Sequence, residues 1–126
     1  MAFARNHEAD LLIAIHADAS LDRKTRGASV YVRSGNEATR LPTIRSDSNH
    51  VGTTLSASHQ IPQAGSSFLQ FTMIEQLDDD VRMVAGPARS APLYVLGSRV
   101  IPSVLLEMGF LTNRQDEALL RQSAHR

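Results

Sequence analysis

The sequence predicts a single α/β domain, a mostly parallel or mixed sheet flanked by helices, on three observations. Two short apolar runs, Leu11-Leu12-Ile13-Ala14-Ile15 and Ser103-Val104-Leu105-Leu106, lie at opposite ends of the chain. Between them Ala28-Ser29-Val30-Tyr31-Val32-Arg33 alternates with β-branched and aromatic residues. Apolar residues then recur at helical spacing from Phe68 to Val81. Continuous apolar runs of this length suit strands covered on both faces, alternation suits a half-buried strand, and the 3.6-residue period suits a helix packed on a sheet.

Leu11–Ile15 breaks at His16-Ala17-Asp18-Ala19-Ser20 and reads as a first strand, with the end of a helix expected ahead of it over residues 3–10. After the polar turn 21–27, residues 28–33 form the second strand, punctuated by Gly27 and Gly35. From 36 to 67 the composition turns to Ser, Thr, Asn, His, Gly and Pro with few bulky apolar residues. Long stretches of that kind inside a compact domain serve as lids or specificity loops, or are plain surface loops. A helix is expected over 68–81, with Asp78-Asp79-Asp80 on its outer face and Gly86-Pro87 closing it. Leu93-Tyr94-Val95-Leu96 reads as a third strand and Ser103–Leu106 as the fourth. Asn113, with Asp116 three residues on, opens a last helix as its N-cap.

Composition excludes several classes. Thirteen basic and thirteen acidic residues leave no net charge, which removes the electrostatic case for a nucleic-acid partner. The twelve arginines and the single Lys24 form no cluster of the kind that reads phosphates. With no cysteine there are no disulfides and no thiolate metal sites, so a metal here takes histidine and carboxylate ligands. No apolar run approaches the roughly 20 residues that span a bilayer, and residues 1–5 lack the character of a signal peptide.

Two ionisable residues stand where strands are expected to run out, His16 and Glu107, the place where open α/β sheets build ligand sites. A histidine that caps a strand end by hydrogen bonding is the plain alternative for His16. Glu107 sits among Leu105, Leu106, Met108, Gly109 and Phe110, a setting costly for a carboxylate unless it is paired, metal-linked or at a cleft. Burial there would raise its pKa toward the range useful for proton transfer, and a structural ion pair with an arginine is the competing account. No Gly-x-Ser-x-Gly motif is present, which argues against a serine hydrolase of the α/β type.

At these same positions the chain resembles a known family. Residues 9–19, ADLLIAIHADA, are similar to the zinc-histidine motif of the N-acetylmuramoyl-L-alanine amidases of the cell-separation type. Residues 26–31, RGASVY, are similar to the strand that follows, and residues 101–113, IPSVLLEMGFLTN, resemble the catalytic-glutamate motif. The resemblance covers nearly the whole chain and implies the phosphorylase/hydrolase-like zinc amidase fold. It implies that His16 is a zinc ligand and that Glu107 is general base and acid in hydrolysis of the amide between N-acetylmuramic acid and L-alanine. It further implies peptidoglycan as substrate, action in the periplasm or cell wall, and room for an activator protein that displaces an occluding segment, which residues 36–67 match in position.

The family's other zinc donors, a histidine in a Gly-rich motif and a glutamate, fall before the segment that residue 1 matches. The expectation is therefore a partial catalytic domain whose N-terminal strands are missing, inactive by itself because one histidine holds zinc weakly. A non-catalytic remnant that binds peptidoglycan or a protein partner is the second reading. His7, His50, His59 and His125 match no ligand position in the family, and Glu8 is expected to face solvent.

Overall fold

A computed structural model describes residue 4 and residues 6–34, 57–98 and 100–123. Within them lie strand β1 (Leu12–Asp18), strand β2 (Ala28–Arg33), helix α1 (Ala57–Leu77), strand β3 (Met83–Ala91), a 3-10 turn at Tyr94–Leu96, strand β4 (Ser103–Phe110) and helix α2 (Arg114–Leu120). The four strands form one mixed sheet in the order β1-β4-β2-β3. β1 runs parallel to β4, β4 antiparallel to β2, and β2 parallel to β3. Parallel neighbours cannot be joined by a hairpin, and α1 lies in the crossover between β2 and β3. It packs against β2, β4 and β3, while α2 packs against β4.

β4 and β2 are the inner strands of the sheet, and β4 is also the strand against which both helices pack. Val104 and Leu105 are fully or almost fully buried and share the core with Ala28, Val30, Val84, Leu96, Ile101 and Leu120. Helix α1 approaches closely at Gly65, where a methyl group would come within 2.8 Å of the Pro102 ring. Next to it the Ser103 amide donates to Ser66 Oγ at 2.8 Å, which fixes the start of β4 under the helix.

From the same helix, buried Gln70 donates through Nε2 to the carbonyls of Val30 and Arg89, at 2.6 and 2.8 Å. One amide group thus bridges β2 and β3 just beyond the place where their register slips, between Ala28 and Val30. Gln70→Ala leaves two carbonyls without that donor and is expected to lower unfolding stability by about 2 kcal/mol, read from the urea midpoint.

Three expectations are corrected. The third strand is not Leu93–Leu96, which forms the 3-10 turn; it is Met83–Ala91, across the Gly86-Pro87 pair expected to end the long helix. Those two residues are tolerated because β3 is an edge strand and bulges there: Ala28 pairs with Met83 but Val30 with Ala88. The helix itself ends earlier, at Leu77, and starts earlier, at Ala57, inside the polar stretch. Residues 36–56 of that stretch lie outside the described residues. Finally, β1 is covered on one face only, since Leu11, Ile13 and Ile15 remain 40–60% exposed along one side of it.

Candidate active site

The register of the sheet makes the site. His16 of β1 pairs directly with Glu107 of the parallel neighbour β4, and Ser29 of β2 pairs with Glu107 from the other side. Paired residues project to the same face of a sheet, so the imidazole and the carboxylate stand side by side. His16 Nδ1 lies 4.0 Å from Glu107 Oε1. Both residues sit within their strands, which continue to Asp18 and Phe110, rather than past strand ends as the sequence suggested.

Their environments differ sharply. The Glu107 side chain is about one-tenth exposed and that of His16 about half. Glu107 Oε2 is buried and has no hydrogen-bond partner among the described residues. Burial raises the Glu107 pKa to about 7, and the negative charge of Asp18 adds to the rise. A carboxyl poised near neutrality can both take and return a proton at physiological pH. Ser29, opposite Glu107, is almost fully buried.

Two loops form the wall behind these groups, and they are laced together across some ninety residues of sequence. The Leu111 amide donates to the Asp18 carbonyl at 2.8 Å, and the Ser20 amide donates to Thr112 Oγ1 at 3.0 Å. Asn113 caps α2 as expected, accepting from the amides of Gln115 and Asp116, and its Nδ2 donates to the Arg23 carbonyl at 2.8 Å. Asp116 does not complete the reciprocal half of a capping box. Its carboxylate is buried and turned into the wall, where it receives the amides of Gly27 and Phe110 and lies beside the Arg26 guanidinium. Arg26 also bonds Gln115.

Asp18 and Asp116 are the residues that sequence reasoning passed over. Asp18 follows His16 by two positions on one strand, a spacing that returns a side chain to the same face and would have marked it. Asp116 carried no such sign, since its burial depends on Gly27, ninety residues away in sequence. Of the other candidates, His7 and Glu8 are exposed, His59 falls in α1, and His50 and His125 lie outside the described residues.

The donor set fits one side of a zinc site. An exposed imidazole beside a carboxylate with an unpartnered buried oxygen supplies one ligand and one proton-transfer group. No group of three or more histidine or carboxylate side chains that could hold a metal exists among the described residues. A catalytic zinc ordinarily takes three protein ligands, so a zinc held by His16 would need further donors from outside them.

Comparison with known proteins gives a consistent result. The family model described as N-acetylmuramoyl-L-alanine amidase matches residues 1–126. The probable N-acetylmuramoyl-L-alanine amidase AmiB of Haemophilus influenzae is 31% identical over 98% of the chain and 33% of its own length. AmiA of Escherichia coli is 28% identical over 98% of the chain and 49% of its own length. The chain thus spans a third to a half of these relatives. Among solved structures, the amidase AmiC2 of Nostoc punctiforme superposes with a TM-score of 0.60 at 21% identity, covering 98% of the chain and 53% of its own. The CwlD amidase of Clostridioides difficile, solved in complex with the GerS lipoprotein, gives 0.58 at 19% identity, over 98% and 50%. These two likenesses show a shared fold.

Proposed function

The chain belongs to the N-acetylmuramoyl-L-alanine amidase family, and from that membership we propose that it carries the proton-transfer half of a zinc-dependent site that hydrolyses the amide between N-acetylmuramic acid and L-alanine in peptidoglycan. The observation that carries the proposal is Glu107: a buried carboxyl with one unpartnered oxygen and a pKa near 7, set 4.0 Å from the exposed imidazole of His16.

An amide is a poor electrophile and its nitrogen a poor leaving group, so hydrolysis needs an activated water and a proton for the departing amine. Glu107 does both in turn. Its carboxylate takes a proton from the attacking water and then delivers that proton to the leaving nitrogen of L-alanine, so no covalent intermediate with the protein is required. His16 would hold zinc through its imidazole, together with donors outside the described residues, and a zinc bound there would supply polarisation of the scissile carbonyl and a more acidic water. Burial first, and then the charge of Asp18 at the end of β1, raise the proton affinity of Glu107 and so suit it to carry the proton between the two transfers.

The reading extends to cell separation, to action in the periplasm or cell wall where the substrate lies, and to control by a protein partner. The complex of the CwlD amidase with the GerS lipoprotein supports the last of these. No helix among the described residues is long and apolar enough to cross a membrane.

The test is zinc content of the purified whole protein together with release of free L-alanine amino groups from purified peptidoglycan. Bound zinc with amine release supports the amidase reading. Binding to peptidoglycan with neither zinc nor amine release would replace it with the non-catalytic reading.

A further inference from the structure

The strand that carries Glu107 is irregular immediately after it. His16 pairs with Glu107 but Asp18 pairs with Phe110, so the single residue Ala17 of β1 faces both Met108 and Gly109 of β4. Such a bulge bends a strand and re-aims the side chains beside it, and it holds its shape only where something fixes the unpaired backbone. Here the fixing group is Asp116. Its Oδ2 receives the Phe110 amide at 3.0 Å and the Gly27 amide at 2.8 Å. The same side chain lies flat against Gly109, whose φ of +147° suits glycine and where a methyl group would come within 3.0 Å of Oδ2.

These two amides belong to the two strand ends that flank Glu107. Phe110 lies three residues after it on β4. Gly27 lies two residues before Ser29, which pairs with Glu107 from β2. One carboxylate oxygen therefore joins both strands two to three residues beyond the reacting group. Arg26, with Nε 3.4 Å from Oδ1, balances the buried charge. A carboxylate is the side chain suited to this place, because two N–H donors converge on a single oxygen and the opposite oxygen faces a guanidinium.

We propose that Asp116 is a positioning residue for the reaction: it clamps the bulge after Glu107 to the start of β2 and so fixes the Glu107 carboxylate beside His16. The inference rests on the amidase reading for its catalytic consequence but not for the clamp itself. Asp116 touches no reacting atom. It acts through the backbone of Gly109 and Phe110, and a displacement of Glu107 by even about 1 Å is enough to cost a large share of the rate.

The experiment compares the whole zinc-loaded protein with Asp116→Ala, Asp116→Asn and Glu107→Gln, measuring kcat and KM, and follows amide exchange in the metal-free proteins by NMR. In Asp116→Ala, kcat is expected to fall roughly 100-fold with KM within about threefold of the parent. Asp116→Asn recovers part of that loss, because the amide oxygen can take the place of Oδ2 and accept both N–H groups while its NH2 is left facing the Arg26 guanidinium. Exchange at Gly27 and Phe110 accelerates at least about tenfold in Asp116→Ala, while exchange at Val84 in β3 stays as in the parent. An unchanged kcat in folded Asp116→Ala overturns the proposal, as does exchange that quickens uniformly across the sheet, which would make Asp116 a residue of general stability alone. Where Asp116→Ala does not accumulate as folded protein, Gly109→Ala carries the same expectation of a kcat loss at constant KM. A Glu107→Gln protein as active as the parent would defeat the amidase reading, and unaltered exchange at Gly27 and Phe110 would then separately defeat the clamp.

Discussion

In the Glu107→Gln protein, release of L-alanine amino groups from peptidoglycan falls by about 10²- to 10⁴-fold, the usual contribution of a positioned general base and acid. The same substitution stabilises the fold. A carboxyl whose pKa rises from 4.5 to about 7 on folding binds its proton more tightly in the native state than in the unfolded chain. Native stability from this group is therefore full below pH 4.5 and is lost as the pH climbs through 7. A shift of this size would be worth about 3 kcal/mol for a fully enclosed group, and water at the mouth of the site reduces it to about 1–2 kcal/mol. Denaturant melts of the metal-free proteins at pH 5 and pH 8 check this. Parent stability drops between the two pH values by that amount, and the glutamine variant shows a smaller drop and the higher midpoint at pH 8. A pH-independent gap between the two proteins would show that folding leaves the Glu107 pKa at its unfolded value. Gain of stability with loss of activity is the signature of a group held in a costly state for use.

His16→Ala has the second large effect, on metal rather than on folding. The side chain is half exposed, so its removal leaves no cavity and unfolding stability changes by less than about 0.5 kcal/mol. Zinc affinity of the whole protein falls by at least about 100-fold, since even indirect partners of zinc ligands contribute 10- to 100-fold. Competition with a chromophoric chelator measures it. Zinc retained at parental affinity would remove His16 from the ligand set and leave it as a neighbour of Glu107 only.

The candidate residues His16 and Glu107 were easier to read in the sequence than their arrangement. His16 and Glu107 stood out because each interrupts an apolar run with an ionisable group, and a carboxylate among Leu106, Met108 and Phe110 calls for an explanation on energetic grounds alone. What no local pattern could supply is the register that sets the two side by side, since it belongs to the pairing of β1 with β4. The elements show the same division. β2 was legible to the residue because Ala28–Arg33 combines alternation with glycine at its entrance. β3 was illegible because MVAGPARSA has neither alternation nor an apolar run, and it becomes a strand by pairing with β2 under the Gln70 bridge. The 3-10 turn at Tyr94–Leu96 looked like a strand because a four-residue apolar run does not declare its period. The start of α1 at Ala57 was hidden for a related reason, as its first turns lack the apolar spacing that marks Phe68 onward.

The pairing of β1 with β4 also sets when the candidate site can form. Leu12 meets Ser103, so the contact that brings His16 to Glu107 closes a loop of 91 residues, and every other strand pairing in the sheet joins segments nearer in sequence. Loop closure of that span carries the largest entropic cost in the domain, and it is met only once the intervening helix and strands have begun to pack. A chain emerging from the ribosome therefore holds His16 and Glu107 apart until β4 has been made, and the proposed proton-transfer group meets its proposed metal ligand only as the sheet closes.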